Sequence, residues 1–515
     1  MISRILVCFL AIALASCGTE PPVGSKSAEI PVQDTLFNND SDEEQRGQRR
    51  VIGTEDIDIV YHDLPEYDED DRSFDDAKTV RELFDEALLR GKAYTLLEYL
   101  TKKIGGRVTG SPQAAAAVEW AYQVMDTMGI EKVWKQGVLV PRWVRGPAEI
   151  GRVVNSQSRG TFEVPVCALG GSVATPKGGL SGELLEVRNF DELRKMGASK
   201  VNGKIVFFNR RMDPRFINTF YAYGNCVDQR WGGAMEAGDL GAIGVIVRSM
   251  TLSIDDYPHT GSMGYEEGIP KIPAMGVSTK GARLLSQLLK EQEDLRFYMQ
   301  QECETLPDVL SYNVVGEIKG REFPDEIILV GGHLDSWDLG EGAHDDGAGC
   351  VQSIEVMRLL MSLGVRPKRT IRIVMFMNEE NGLKGAKKYA EIASIRNEKH
   401  IAAIETDRGG FAPRSFTIES GDEDVFTKQL AIINSWLPLL EEYGIKSIKE
   451  GGSGADISPL KDQGTLLFGL VPESQRYFDY HHCEADVFET VNERELHLGA
   501  AAMASLVFLI SEHGI

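Results

Sequence analysis

Acidic and imidazole side chains recur in the C-terminal half of the chain, each shortly after an apolar run. Those that could bind a metal are His333, Asp345, Glu380, Asp407 and His482, and Glu379 is a further acid beside them. Imidazole and carboxylate groups without thiolates form a donor set that suits zinc. The set is large enough for two ions that share one carboxylate, with one acid left to move protons. We therefore predict a centre with two Zn²⁺ ions per chain.

Neighbouring residues in this set can divide the work. In the pair Glu379–Glu380, one carboxylate can bind a metal while the other faces the reacting water. Asp335, two residues after His333, is placed to accept the other N–H of that histidine and so to orient it. His481 and His482 are adjacent, and ligation by both is not assumed. A single histidine or acidic pair is more often structural or solvated, so the prediction depends on all these groups meeting.

The apolar runs that precede the candidate residues predict the strands that position them. These runs are 327–330, 371–377, 401–404 and 466–471, and a helix is predicted over 348–361. Strands that alternate with helices indicate an α/β domain with a mixed, mostly parallel sheet. Ligands of such sheets bind beyond the carboxyl ends of the strands. The candidate side chains are therefore expected at one sheet edge.

The length of 515 residues predicts two folded units and a tail. Residues 74–137 show helical spacing and are assigned to the N-terminal part of the catalytic domain. Residues 138–305 are interrupted by Gly and Pro and contain short strand-like runs, which predicts an inserted β-rich domain. Residues 306–515 complete the catalytic domain.

The N-terminus has the pattern of an export signal. Arg4 precedes an apolar run from Ile5 to Leu14, which is shorter than the about 20 residues that span a bilayer. The run ends in Leu14-Ala-Ser-Cys17, which resembles a bacterial lipobox and implies lipid attachment to Cys17. We predict a lipoprotein signal peptide over 1–17 and a membrane anchor through this lipid only, facing the periplasm or the cell exterior. The outer membrane is preferred because Gly18 replaces a retention aspartate; a plain signal peptide is the alternative.

The remaining composition limits the function classes. Residues 18–73 are polar and acidic and predict a disordered tether whose downstream end can dock on the domain. The net charge of −23 argues against nucleic acid as a partner. The five cysteines after the leader have no CxxC spacing, so no thiolate zinc site is predicted.

Several segments together resemble the co-catalytic di-zinc exopeptidases, the family of aminopeptidases and glutamate carboxypeptidases, and within it the carboxypeptidase Q branch. The match runs from about residue 90 to the C-terminus. The segments that carry it are Gly332-His-Leu-Asp-Ser-Trp-Asp338, Gly342-Ala-His-Asp-Asp-Gly347, Arg366-Pro-Lys-Arg-Thr-Ile-Arg372, Glu379-Glu380, His481-His482, Arg145-Gly-Pro147, Pro258-His-Thr-Gly261 and Pro270-Lys-Ile-Pro273.

The resemblance implies a zinc-peptidase α/β/α sandwich with an inserted protease-associated-like domain, and a possible homodimer. By position it makes Asp345 the bridge between one zinc on His333 and Asp407 and another on Glu380 and His482. His482 is preferred over His481 because the family ligand stands four residues before an aspartate, here Asp486. Glu379 falls on the general acid/base.

The predicted function is a zinc metallo-exopeptidase that hydrolyses dipeptides or short peptides, as a dipeptidase or carboxypeptidase. In this hypothesis the zinc ions activate a bridging water, and Glu379 takes its proton and returns it to the leaving amine. An aminopeptidase of the same family stays open, because the residues that line the pocket lie on loops that the sequence does not place. Gly452-Ser-Gly-Ala-Asp456 departs from the family pattern near the substrate pocket, which leaves the side-chain preference open. A glutaminyl cyclase with one zinc, or a non-catalytic receptor-like relative, is less favoured because both ligand sets are complete.

Overall fold

The computed structural model describes residues 56–64, 75–147 and 149–515. The strands, numbered along the chain, are β1 Asp56–Tyr61, β2 Lys132–Val144, β3 Glu149–Ser156, β4 Gly160–Val164, β5 Val166–Ala168, β6 Leu180–Val187, β7 Ile205–Phe208, β8 Gly244–Arg248, β9 Ala274–Val277, β10 Arg296–Gln301, β11 Glu304–Ile318, β12 Phe323–His333, β13 Arg369–Phe376, β14 Lys399–Glu405, β15 Pro413–Glu419, β16 Ser447–Glu450 and β17 Leu466–Pro472.

The α-helices are α1 Asp76–Arg90, α2 Ala93–Tyr99, α3 Pro112–Thr127, α4 Phe190–Met196, α5 Ala198–Val201, α6 Thr219–Gly224, α7 Asp228–Trp231, α8 Gly233–Asp239, α9 Thr279–Glu291, α10 Ala348–Ser362, α11 Lys384–Ile395, α12 Glu423–Ser435, α13 Leu437–Leu440, α14 Tyr477–Tyr480 and α15 Glu493–His513. Short π-helical turns lie at Leu100–Ile104 and Ala343–Gly347, and 3₁₀ turns at Glu441–Tyr443, Ser458–Gln463 and Phe488–Thr490.

The first sheet has nine strands within the described residues, in the order β1-β2-β11-β13-β12-β14-β17-β15-β16. The predicted strands of the C-terminal half are β12, β13, β14 and β17, which are parallel neighbours at the centre of the sheet. The outer pairs are antiparallel, except β15 with β16. The sheet is therefore mixed, as predicted, with parallel pairs making up half of it rather than most of it.

Alternate residues of the central strands face two helical layers. Ile328 and Val330 of β12 belong to the core that α1, α10 and α15 cover, whereas Leu329 faces α11 on the opposite side. This alternation follows from the two-residue period of a strand buried on both faces. The result is the expected α/β/α sandwich.

Helix α15 is the central core helix of one layer. It is long and apolar enough to cross a membrane by length and composition, but 83% of its apolar window is buried inside the protein. It packs against α1 and α10. A fully apolar helix is expected in such a buried layer.

Strands β3 to β10 form a second sheet, with eight strands in the described part of the chain, in the order β4-β3-β10-β6-β7-β8-β9-β5. One of its faces is covered by α9 and the other by α4 and α8. The predicted boundaries 138 and 305 fall inside β2 and β11, which pair over a long antiparallel register in the first sheet. The second sheet therefore spans 149–301, and its likeness to protease-associated domains stays a prediction.

The tether prediction for 18–73 needs one correction. Residues 56–61 form the edge strand β1, which pairs with β2 from Asp56 opposite Gln136 to Tyr61 opposite Lys132. The rest of that segment, apart from 62–64, lies outside the described residues, as do the leader and Cys17. Export, lipid attachment and the choice of membrane stay predictions. The five cysteines of the described part are buried and free, so they form no disulfide there.

Candidate metal centre

The carboxyl ends of the parallel strands bring the predicted residues to one edge. His333 is the last residue of β12, the Glu379–Glu380 pair follows β13, and Asp407 follows β14. β17 leads through α14 to His482. Because these strands are parallel neighbours, their ends lie side by side, which confirms the expected convergence.

Asp345 lies between two groups of candidate ligands. Its Oδ1 is 3.3 Å from His333 Nε2, and its Oδ2 is 3.1 Å from His482 Nε2. His333 Nε2 is also 3.6 Å from Asp407 Oδ1, and His482 Nε2 is 3.0 Å from Glu380 Oε2. One carboxylate therefore presents one oxygen to each of two pairs of candidate ligands, His333 with Asp407 and His482 with Glu380. This is the geometry expected of a bridging ligand.

The donor atoms of both sets fit metal cations. His333 Nε2 and Glu380 Oε1 are buried and make no hydrogen bond within the described residues. Burial and the nearby Asp345 carboxylate raise the pKa of Glu380 to about 7. Burial lowers the pKa of His482, but Glu380 and Asp345 raise it to about 9 overall. A group of buried carboxylates needs compensating positive charge, which bound cations supply.

His481 and Asp346 are the neighbours that could compete for ligand roles. His481 Nε2 is 3.7 Å from Asp345 Oδ2, and its ring stacks on the His482 ring with centroids 3.5 Å apart. His482 is closer to Asp345 and also reaches Glu380. The carboxylate of Asp346 accepts the backbone N–H groups of His333 at 3.1 Å and Gly349 at 3.0 Å. Asp346 therefore braces the end of β12 and the start of α10.

Asp335 is at the site, but its carboxylate does not have the predicted contact. His333 Nδ1 lies 2.9 Å from the backbone carbonyl oxygen of Asp335 and 4.0 Å from its Oδ1. The carboxylate instead accepts the N–H groups of Asn378 at 2.6 Å and Glu379 at 3.1 Å, and the hydroxyl of Thr109 at 2.7 Å. The side chain thus holds the turn that carries Glu379, while the main chain orients His333.

The turn after β13 has an unusual backbone conformation. Asn378 has φ +76°, in the left-handed region that asparagine tolerates better than most residues. The Asn378 carbonyl oxygen is the acceptor for the N–H of Leu383, which closes the loop around Glu379 and Glu380. Left-handed geometry at a non-glycine residue costs free energy and recurs at functional sites.

Sequence reasoning gave Asp486 only the role of a spacing marker. Its Oδ1 accepts the N–H of His344 at 2.7 Å and its Oδ2 accepts the N–H of Asp345 at 3.1 Å. Asp486 is buried. It therefore fixes the backbone of the bridging residue, and the only sequence signal was its spacing from His482.

Contacts to the metal centre from residues 149–301, the inserted unit, were also missed. The N–H of Thr260 donates to the His482 carbonyl oxygen at 2.9 Å, and Ser262 Oγ donates to the Glu380 carbonyl oxygen. Arg230 NH1 lies 3.4 Å from His482 Nδ1. The inserted unit thus holds the backbones of two candidate ligands. The motif Pro258-His-Thr-Gly261 was the signal that could have indicated this.

Comparisons with known proteins agree with this geometry. The sequence model of Peptidase family M28 matches residues 313–507. Carboxypeptidase Q from Mus musculus and from Homo sapiens are each 32% identical to this chain over 438 residues, which is 85% of this chain and 89% of theirs. The chain belongs to peptidase family M28. All six predicted chemical residues of this M28 peptidase, from His333 to His482, lie within the matched segment.

Solved structures extend the comparison to the whole fold. The Peptidase M28 precursor from Shewanella amazonensis SB2B has a TM-score of 0.80 and 32% identity, covering 85% of this chain and 97% of that one. BSAP, a zinc aminopeptidase from Bacillus subtilis, has a TM-score of 0.57 at 20% identity, covering 81% of this chain and 94% of that one. The second likeness shows the fold of this M28 peptidase and no more.

Proposed function

We propose that this M28 peptidase is a zinc-dependent exopeptidase that hydrolyses dipeptides or short peptides. The carboxypeptidase Q relatives support a carboxypeptidase or dipeptidase, because they match most of the chain at 32% identity. The zinc aminopeptidase from Bacillus subtilis has the same fold at 20% sequence identity. A shared fold does not determine substrate specificity, so this likeness does not favour an aminopeptidase.

The observation that carries the proposal is the position of Asp345 between His333 and His482, 3.3 and 3.1 Å from their Nε2 atoms. We assign one zinc to His333, Asp345 and Asp407. The other is assigned to Asp345, Glu380 and His482. When bound, such ions lower the pKa of water and polarise the scissile carbonyl group.

Glu379 is the residue we assign to proton transfer. Its N–H is held by Asp335, and it shares a turn with the ligand Glu380, so its carboxylate is kept beside the metal centre. Burial raises the pKa of Glu379, and the neighbouring carboxylates of Asp407 and Glu380 raise it further. A carboxylate with a raised pKa can take a proton from the attacking water and return it to the departing amine.

The test combines metal analysis with one conservative substitution. We expect two zinc ions per chain and hydrolysis of unmodified dipeptides by the wild-type protein. E379Q should keep both zinc ions and lose at least about 10²-fold in kcat, because general acid–base catalysis contributes about 10²–10⁴-fold. E391Q, on the exposed face of α11, is the matched control and should retain wild-type turnover.

Three outcomes would contradict the proposal. A single zinc per chain would favour the cyclase alternative, and two zinc ions without hydrolysis of any dipeptide would favour a non-catalytic protein. Wild-type turnover in E379Q would leave the metal centre intact but remove Glu379 from the mechanism.

A further inference from the structure

Arg408 follows Asp407 directly at the carboxyl end of β14. It is partly exposed, and its guanidinium carbon lies 5.3 Å from the ring centroid of Phe220, which α6 of the inserted unit provides. Its NH2 group donates to the carbonyl oxygens of Gly452 at 2.9 Å and Ser453 at 3.4 Å. Arg408 thus lies where both units and the 452–456 loop meet the metal centre.

Two other arginines close to the centre are already engaged. Arg145 pairs with Asp338 at 2.6 Å and Glu149 at 2.9 Å. Arg230 donates through Nε to Ser262, through NH1 to Thr260 and through NH2 to Tyr223. Neither arginine has a donor pair left for a ligand.

Arg408 differs from both. In the part of the chain that the structure describes, no carboxylate lies within 4.0 Å of its guanidinium nitrogens, and its Nε and NH1 make no hydrogen bond. The acids nearest to Arg408 along the chain are Asp407 and Glu405. Glu405 is occupied by the N–H groups of Ala455 and Ile457. Once Asp407 binds a cation, Arg408 has no counter-charge of its own.

The surroundings of Arg408 are open to a small ligand. The Tyr221 ring is 57% exposed, and Ile217 on the same segment is 85% exposed. Both lie on a stretch of the inserted unit that contacts the 473–482 loop. Thr219 Oγ1 donates to the Ser474 carbonyl oxygen, and Gln475 Nε2 donates to the Ile217 carbonyl oxygen. A guanidinium without a carboxylate partner, at an exposed edge of the metal centre, is suited to bind a planar carboxylate through two parallel hydrogen bonds.

We propose that Arg408 binds the α-carboxylate of the substrate, so that the enzyme requires a free C-terminus. This rests on the proposed exopeptidase function, because an exopeptidase must hold a chain terminus within about one residue, roughly 3.5 Å, of the scissile bond. Arg408 directly follows the candidate ligand Asp407 at the same strand end, so it lies at the rim of the metal centre. Of the two open alternatives, carboxypeptidase and aminopeptidase, this proposal favours the carboxypeptidase.

The test compares an unmodified apolar dipeptide with its C-terminal amide and its N-acetyl form. The wild-type enzyme should hydrolyse the free and acetylated forms and act on the amide at least about 100-fold less efficiently, since a charged pair is lost. R408Q should lose about 100-fold in kcat/KM for the free dipeptide, mainly through KM, and remain within twofold of wild type on the amide. R408K should recover part of the loss, and R414Q, an exposed arginine on β15, is the matched control.

The outcomes separate this inference from the proposed function. If the wild-type enzyme hydrolyses the amide but not the acetylated form, the enzyme is an aminopeptidase and Arg408 is not the anchor. If R408Q loses zinc, or if its kcat/KM falls by the same factor on the free dipeptide and on the amide, Arg408 only positions Asp407 or the 452–456 loop. If no form is hydrolysed by the two-zinc wild-type protein, the proposed function fails before Arg408 is tested.

Discussion

Removal of the Asp335 carboxylate should uncouple the proton-transferring residue from the metal centre. Asp335 is completely buried and accepts three hydrogen bonds, from Asn378, Glu379 and Thr109. Hydrogen bonds to a charged acceptor contribute about 1.5–3 kcal/mol each, so D335A should remove at least about 4 kcal/mol of stabilisation. Two buried N–H groups would then lack partners, and the Glu379 turn would shift.

The expected kinetic effect follows from that shift. A displacement of about 1 Å at a catalytic group costs on the order of 100-fold, so kcat of D335A should fall by at least that factor. D335N keeps an acceptor oxygen for both N–H groups but loses the charge and the oxygen that accepts from the Thr109 hydroxyl, so its kcat should fall by less than about tenfold. T109V removes one of the three bonds and should resemble D335N. The assay is dipeptide hydrolysis, with thermal unfolding and zinc affinity from chelator competition measured on the same samples.

Zinc affinity decides between the two roles of Asp335. In the structure the backbone carbonyl oxygen, not the carboxylate, accepts from His333, so D335N should bind zinc with wild-type affinity. A tenfold or greater loss of zinc affinity in D335N, with kcat per bound zinc unchanged, would show that the carboxylate orients the histidine. The reasoning about the Glu379 turn would then be wrong.

Two further changes address the bridge and the pH dependence. D345N should lower the bound zinc from two ions to less than one per chain, because a single carboxylate faces both ligand sets. Metal analysis would measure this, and a variant that keeps two ions would refute the bridge. Burial alone would raise the pKa of Glu86. Hydrogen bonds from Arg90 at 2.6 Å and Arg358 at 2.9 Å lower it by more than burial raises it, so the net shift of this pKa is downward. Its stabilisation is thus present above the unfolded pKa, near 4.3, and is lost as the pH falls through the folded pKa. E86Q should lower the free energy of unfolding by about 1–2 kcal/mol at pH 7 and by progressively less below about pH 4. The exposed control E82Q should lower it by under about 0.5 kcal/mol. An effect of E86Q that does not depend on pH would refute the pairing.

The elements that carry the chemistry were predictable because local pattern determines them. Short apolar runs such as 327–330 that alternate with longer helical segments predict strands buried on both faces, and the residues that follow such runs are expected at the sheet edge. His333 and Asp407 could therefore be placed from the sequence. Their partners came from the resemblance, which identified Asp345 as the bridge.

Other features depend on three-dimensional contacts that no local pattern records. The sequence cannot show whether the main chain or the side chain of Asp335 meets His333, since both lie within reach. Thr260 and Ser262 meet the metal centre from more than a hundred residues away along the chain. The strand β1 was included in the tether because acidic stretches at 38–44 and 68–71 lie on either side of it, whereas its pairing to β2 uses backbone groups. The boundaries at 138 and 305 failed because β2 and β11 continue past the composition change.

The long pairing of β2 with β11 has a consequence for anyone who would trim this protein. These strands are neighbours in space but lie on either side of the inserted unit, and that unit in turn holds the main chain at His482 and Glu380. A fragment cut to the segment that the family model matches would lack β2, the Thr109 hydroxyl and both of those braces. Grafting the six chemical residues alone onto a shorter scaffold would transfer the metal-binding groups without the framework that keeps them in register.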